Sequence, residues 1–190
     1  RPHRAEDGAM VRLRLPGGRV SARTLVRLVE LATAYGNGIV QLTSRAGLQL
    51  RGLADPLPDA FVTAVVATGL LPSTTHERVR NIVASPLTGL HGGLADVSGL
   101  THALDLGLTS EPTLADLPGR FLFVLDDGRG DVIDLRFDLG YQADEADKIS
   151  FERAHGDIQR FINYRQWQAC FKHSIGYVIG RERGTNSTTE

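Results

Sequence analysis

Arginine supplies nearly all the ionic chemistry available in the first 80 residues. Eleven arginines stand there against six acids, a net charge of +5, and no lysine occurs before Lys148. A guanidinium is planar, permanently charged and shaped to grip a carboxylate or phosphate through paired N–H groups. A segment charged by arginine alone therefore suits recognition of a polyanion. A coding bias toward arginine would leave the same composition. Residues 81–147 reverse the sign, with three arginines against twelve acids, and residues 148–190 carry +3, so the overall charge of −1 conceals a strong asymmetry. The histidines His76, His91, His102, His155 and His173 fall at no metal-ligand spacing on one helix. Cys170 is the single cysteine, so the chain has neither an internal disulfide nor a CxxC pair, and it reads as a small buried apolar residue. Trp167 and Phe171, four apart, read as helix packing. GxxxxGK[ST], GxGxxG after a strand, HExxH and GxSxG are all missing, and aromatic residues are sparse in the basic segment, which argues against nucleic acid as a partner. No apolar run approaches a bilayer's thickness and Arg1 to Gly8 is polar, so the expectation is a cytoplasmic protein with no membrane partner.

Several short elements must hold these side chains. Ala9 to Leu15 alternates small or apolar residues with arginine, the period of a half-buried strand, and Pro16-Gly17-Gly18 ends it. Ser21 is placed to cap a helix whose apolar positions Ala22, Leu25, Val26, Val29 and Ala32 are expected to face a sheet, with Gly36-Asn37-Gly38 as its stop. Ile39–Thr43 and Leu48–Leu53 read as strands around a tight connection, and Arg51 shares a face with every second residue of its strand. Pro58–Leu70 presents Phe61, Val62, Val65 and Val66 on a helical face. The order strand, helix, strand, strand, helix predicts an α+β fold of ferredoxin-like character over residues 1–72. Residues 73–147 begin a second α+β unit, irregular through the glycine-containing loop Ser85–Gly93. It then predicts a hairpin of Arg120–Leu125 and Asp131–Tyr141 about Asp126-Asp127-Gly128-Arg129-Gly130. Composition shifts again near Ala146. Five of eight isoleucines lie beyond it, Phe151, Ala154, Ile158, Phe161 and Ile162 have helical spacing, and residues 148–190 form a separate tail whose end, Arg181–Glu190, is expected to be mobile.

Four ordered segments resemble the nitrite/sulfite reductase ferredoxin-like superfamily. Thr43-Ser44-Arg45-Ala46-Gly47-Leu48-Gln49-Leu50-Arg51-Gly52 is similar to its segment running from a threonine-rich strand end through an arginine to an alternating strand. Val79-Arg80-Asn81-Ile82-Val83-Ala84-Ser85-Pro86 resembles its Arg-Asn segment. Leu117-Pro118-Gly119-Arg120-Phe121 resembles its Leu-Pro-basic-Phe strand, and Asp138-Leu139-Gly140-Tyr141 its Asp-Leu-Gly-aromatic strand. The four segments fall in order within a resemblance over residues 9–143, the N-terminal half of such proteins, and the opening stretch Ala5–Leu25 looks most like the precorrin-3B synthases.

The resemblance implies an oxidoreductase half that binds an acidic tetrapyrrole, a precorrin in cobalamin biosynthesis, with siroheme-dependent nitrite or sulfite reduction as the alternative. It places Arg45 and Arg80 against the macrocycle and its anionic ligand, adds Arg51 and Arg120, and gives Asn81 a ligand-facing or loop-holding role. His91, in the glycine-rich loop after Arg80, reads as a solvent-exposed residue, with an axial or proton-transfer role as the alternative. Two positions depart from the reductase pattern. Of the two lysines on the Leu-Pro strand, the first is matched by Arg120 and the second by Leu122, which cannot donate a proton. The four cysteines that hold a 4Fe-4S cluster belong to the family's second half, and Cys170 alone cannot replace them. The expected partners are therefore the tetrapyrrole and either a cysteine-bearing second half or a second copy. The rival reading is a non-catalytic interaction module. The tail, with its apolar stripe, is expected to cover the surface that otherwise meets the second half.

Overall fold

The computed structural model describes residues 3–143 and 150–152. Phe151, expected to open the C-terminal helix, lies instead in a short strand, Ser150–Glu152, and the rest of that expected helix, with Cys170, Trp167, His155 and His173, lies outside the described residues. A first antiparallel sheet has the strand order β1-β2-β4-β3, formed by β1 His3–Ala5, β2 Gly8–Arg14, β3 Val40–Leu42 and β4 Gly47–Leu53. The ferredoxin-like order of strands and helices is as expected, with β1 added as a hairpin partner of β2. Asp7-Gly8 carried the turn signal for that hairpin, since Gly8 has a φ of 119°.

Two helices, α1 Ala22–Tyr35 and α2 Asp59–Val66, cover one face of this sheet. The alternation of β2 sends Leu13 into the core opposite Leu48 and turns Arg12 and Arg14 to the other face, beside Gln49 and Gly47. Leu13, Leu28, Leu48, Leu50 and Phe61 are almost wholly buried between sheet and helices, each contributing roughly 1.5–3 kcal/mol. Ser21 caps α1 as expected, its Oγ accepting the Thr24 N–H at 3.1 Å. The face of α1 differs from the expectation. Leu28, Leu31 and Ala32 meet the sheet, while Leu25, Val26 and Val29 are exposed. Apolar residues occupy more of this helix's circumference than one sheet can cover, so periodicity alone did not single out the buried arc. In α2, likewise, Phe61 and Val65 are buried and Val62 and Val66 point outward.

The second sheet has the order β5-β6-β7-β8, formed by β5 Ile82–Ala84, β6 Phe123–Asp126, β7 Leu139–Gln142 and β8 Ser150–Glu152. Its first three strands are parallel, and β8 runs antiparallel to β7. The expected hairpin about Asp126–Gly130 is thus corrected: β6 and β7 run the same way. The reason is Asp126, fully buried, whose carboxylate accepts N–H groups from Gly128 and Gly130 at 2.9 Å and from Val132 and Ile133 at 3.1 and 3.2 Å. These bonds gather the loop into a compact knot, and the chain passes back before β7 begins. The uninterrupted buried run Phe121–Asp127 is the pattern of a parallel strand covered on both faces. Between β5 and β6 lies α3, Ser98–Ser110, where the sequence read as irregular. Its apolar spacing, Leu100, Leu104 and Leu108, was masked by Gly99 and Gly107.

The units meet at the turn Pro16–Gly18, which lies against β5 and α3. Gly17, at φ 68°, allows that approach, because a Cβ there would stand 2.9 Å from Thr101 Cγ2. Arg19 completes the seam by donating to Ser98 Oγ at 2.7 Å and to the Thr88 carbonyl. Gly17→Ala is expected to lower unfolding free energy by roughly 1–3 kcal/mol, read as a reduced urea midpoint. The Arg129 guanidinium, bonded to Asp127 at 2.7 and 2.8 Å, holds that carboxyl below its usual range against the opposing effect of burial. A carboxyl with a lowered folded pKa stabilises fully above its unfolded pKa and loses that contribution as pH falls through the folded value. Arg129→Gln is therefore expected to lower the urea midpoint at neutral pH, with the gap from the native chain closing below about pH 4.

Candidate anion-binding site

The uncovered face of the first sheet concentrates polar side chains. Arg12 donates through Nε and Nη2 to Gln49 Oε1 at 3.2 and 2.8 Å, and Gln49 Nε2 reaches Gln41 Oε1 at 3.4 Å. The row follows from register, since Arg12 and Gln41 both pair with Gln49. Two residues along β2, Arg14 lies on the same face. It is half-buried and, among the described residues, forms no ion pair or hydrogen bond. Its pKa is pulled down to about 10, first by burial and then by the neighbouring charges of Arg12 and Arg45, with Glu77 opposing. A desolvated cation flanked by like charge is unfavourable in the empty protein and becomes favourable when an anion arrives.

Arg45 sits in the β3–β4 connection, where Gly47 N–H bonds Thr43 Oγ1 at 3.0 Å and Ala46 takes a φ of 50°. Its Nη1 donates to the Arg120 carbonyl at 2.9 Å, so these two expected residues come together at the edge of the open face. The Arg120 residue is exposed. The remaining expected residues are placed elsewhere. Arg51 is turned aside by Asp7, to which it donates from Nε and Nη2 at 3.1 and 3.0 Å.

Arg80 does not present its guanidinium to the open face, which corrects the position expected for it. Its side chain is 5% exposed, it grips Asp105 through Nε and Nη2 at 2.7 and 2.8 Å, and Nη1 bonds Glu77 and the Leu70 carbonyl at 3.0 Å. Burial alone would lower its pKa, but the bonds to Asp105 and the charges of Asp105 and Glu77 carry it upward. Burial raises the pKa of Glu77 despite Arg80. Asn81 is buried and its Nδ2 donates to the Arg78 and Gly119 carbonyls at 3.0 and 3.1 Å, holding two loops together; its Oδ1 has no partner among the described residues. Leu122 is packed with Val83, Val124 and Val132 in the core. His91 is exposed, and its backbone carbonyl accepts Arg129 at 2.6 Å. Asp126, Asp127 and Asp131 lie close together, but backbone N–H groups, Arg129 and Ser85 Oγ occupy their oxygens.

Reading the sequence missed Arg12, Arg14, Gln49 and Glu77 as members of this site. The signal for two of them was visible in Val11-Arg12-Leu13-Arg14, whose period puts both arginines on one face. The donors fit a ligand with acidic side arms. They do not fit an iron–sulfur cluster, because the single cysteine supplies one thiolate.

An antiparallel sheet roofed by two helices on one side and lined with arginine on the other defines a ferredoxin-like α+β module with a cationic face. Residues 1–57 match the family model of the nitrite/sulfite reductase ferredoxin-like half domain. Over 145 residues, 70% of this chain, the sequence is 33% identical to the ferredoxin–nitrite reductase of Synechococcus elongatus, of which the match covers 28%. It is 45% identical over 84 residues, 40% of this chain, to the sulfite reductase [NADPH] hemoprotein beta-component of Acidithiobacillus ferrooxidans, covering 14% of that protein. A precorrin-3B synthase from Sinorhizobium sp is 38% identical over 53 residues, 28% of this chain and 12% of the relative. The chain therefore matches less than a third of the length of these curated relatives, and the longest of these matches is to a reductase. No helix among the described residues is long and apolar enough to cross a membrane.

Because Arg80 compensates two half-buried carboxylates, Arg80→Ala is expected to destabilise the fold by about 2–4 kcal/mol. Arg51→Ala removes a solvent-screened pair and is expected to leave the urea midpoint unchanged.

Proposed function

We propose that this chain forms the tetrapyrrole-holding part of a siroheme-dependent oxidoreductase of the nitrite/sulfite reductase type. The observation that carries the reading is Arg14, a half-buried guanidinium that forms no ion pair or hydrogen bond among the described residues and lies on the open face within reach of the charges of Arg12 and Arg45. Siroheme carries several carboxylates around its rim, and a cluster of uncompensated arginines is the complement of such an edge. Arg14 and Arg45 bind side-arm carboxylates, Arg12 and Gln49 position Arg14's neighbours across the sheet, and Arg120 lies at the margin where a small anionic substrate approaches. Siroheme, when bound, supplies the electron transfer to the substrate; the cysteines for a coupled cluster come from a partner half. The reductase reading stands ahead of the synthase reading because the longer matches are to nitrite and sulfite reductases. The synthase reading keeps support from the Sinorhizobium relative and from Leu122, a residue without a proton to give.

The test is a spectral titration of the folded chain with uroporphyrin, an octacarboxylate tetrapyrrole. Saturable binding is expected, weakened about tenfold or more in Arg14→Ala and in Arg45→Ala, weakened by added salt, and unchanged in Arg51→Ala. Absence of binding, or equal binding by all three variants, overturns the proposal.

A further inference from the structure

We infer that the β3 edge of the first sheet is a homodimer interface, in which two copies of this chain pair β3 against β3 about a two-fold axis. The inference is independent of the tetrapyrrole site. Among the described residues β3 is the last strand of its sheet, and one side of its backbone has no ladder partner there. The Thr43 N–H bonds the Gly47 carbonyl at 2.9 Å, which fixes the alternation along the hairpin: Gln41 turns its backbone groups toward Gln49, and Val40 and Leu42 turn theirs to the open side. Protein sheets usually guard such an edge with charge, proline or a bulge. Here Gly36 to Ser44 contains no charged residue and no proline.

The side chains around this edge are apolar and exposed. Leu42 opposes Leu48, a buried residue, so it lies on the helix-covered face of the sheet, yet it is 78% exposed, and Ile39 is 54% exposed. β2 and β3 are parallel strands joined through α1, and the right-handed connection such units adopt turns the flank of α1 that carries Leu25, Val29 and Val26 toward the β3 edge. The opposite flank carries Arg23, Arg27 and Glu30. The helix residues Leu25, Val26 and Val29 are 39%, 58% and 45% exposed. The stripe that did not face the sheet is thereby explained as one wall of an interface.

A second copy is the occupant that this surface fits. Antiparallel pairing centred on Gln41 sets Val40 opposite Leu42 of the other copy and satisfies both open backbone rows reciprocally, as an isologous contact requires. The uncharged edge imposes no like-charge repulsion when it meets itself. Joining the five exposed apolar side chains of each copy removes on the order of 1,000 Å² from water, the lower bound for a biological interface, to which the paired backbone rows add.

Sedimentation of the full chain over a concentration series tests this. The native chain is expected to shift from monomer to dimer, while Leu42→Lys and Val26→Glu remain monomeric over the same range with unchanged circular dichroism and urea midpoints. Leu106→Lys, a change at an exposed leucine of the second unit, is expected to dimerise like the native chain. A native chain that stays monomeric at its highest soluble concentration overturns the inference, as does a dimer that persists in both edge variants.

Discussion

One strand, β2, sets the terms for the rest of the molecule. Its period of two places Leu13 in the core and, by the same geometry, forces Arg12 and Arg14 onto the face that α1 and α2 leave uncovered. The core cannot form in this register without assembling a cationic surface on the opposite side. Nothing acidic on the neighbouring strands answers Arg14. Burial and the nearby Arg12 and Arg45 pull its pKa down to about 10. A folded chain that keeps such a group holds a standing cost in its free energy, which an anion placed beside it would offset.

The second unit contributes a frame for that face. Arg80 is consumed by Asp105 and Glu77, Asn81 by the Arg78 and Gly119 carbonyls, and Arg19 by Ser98 and Thr88. These bonds fix the loops that flank Arg45 and Arg120, so the arginines facing outward are held by arginines and amides facing inward. Glu77 joins the two groups, since it bonds Arg80 and also opposes the lowering of Arg14's pKa.

Much of the first unit was legible because its signals are local: the alternation of β2, the Ser21 cap and the Gly36 stop each act within a few residues. The buried face of α1 was not, because Leu25, Val26 and Val29 compete with Leu28 and Leu31 and only the position of the sheet decides between them. The second unit was misread for a related reason. Asp126-Asp127-Gly128 has the composition of a hairpin turn, but the four N–H bonds to the buried Asp126 carboxylate turn the loop into a crossover between parallel strands. At the candidate site, motif likeness named Arg45 and Arg120 among the candidate residues, and the structure joins the Arg45 guanidinium to the Arg120 carbonyl. That likeness could not distinguish an arginine free to meet a ligand from one committed to an acid 25 residues away, as Arg80 is to Asp105.

On the proposed function, Arg14 opposes folding when the face is empty and favours it when an acidic tetrapyrrole is bound. Unfolding of the native chain and of Arg14→Gln, each with and without saturating uroporphyrin, tests it directly. The account predicts a crossing. Without ligand the variant is the more stable, by about 1 kcal/mol after allowance for the solvent that still reaches the group, and with ligand the native chain is the more stable. The same order of stability in both states would contradict it.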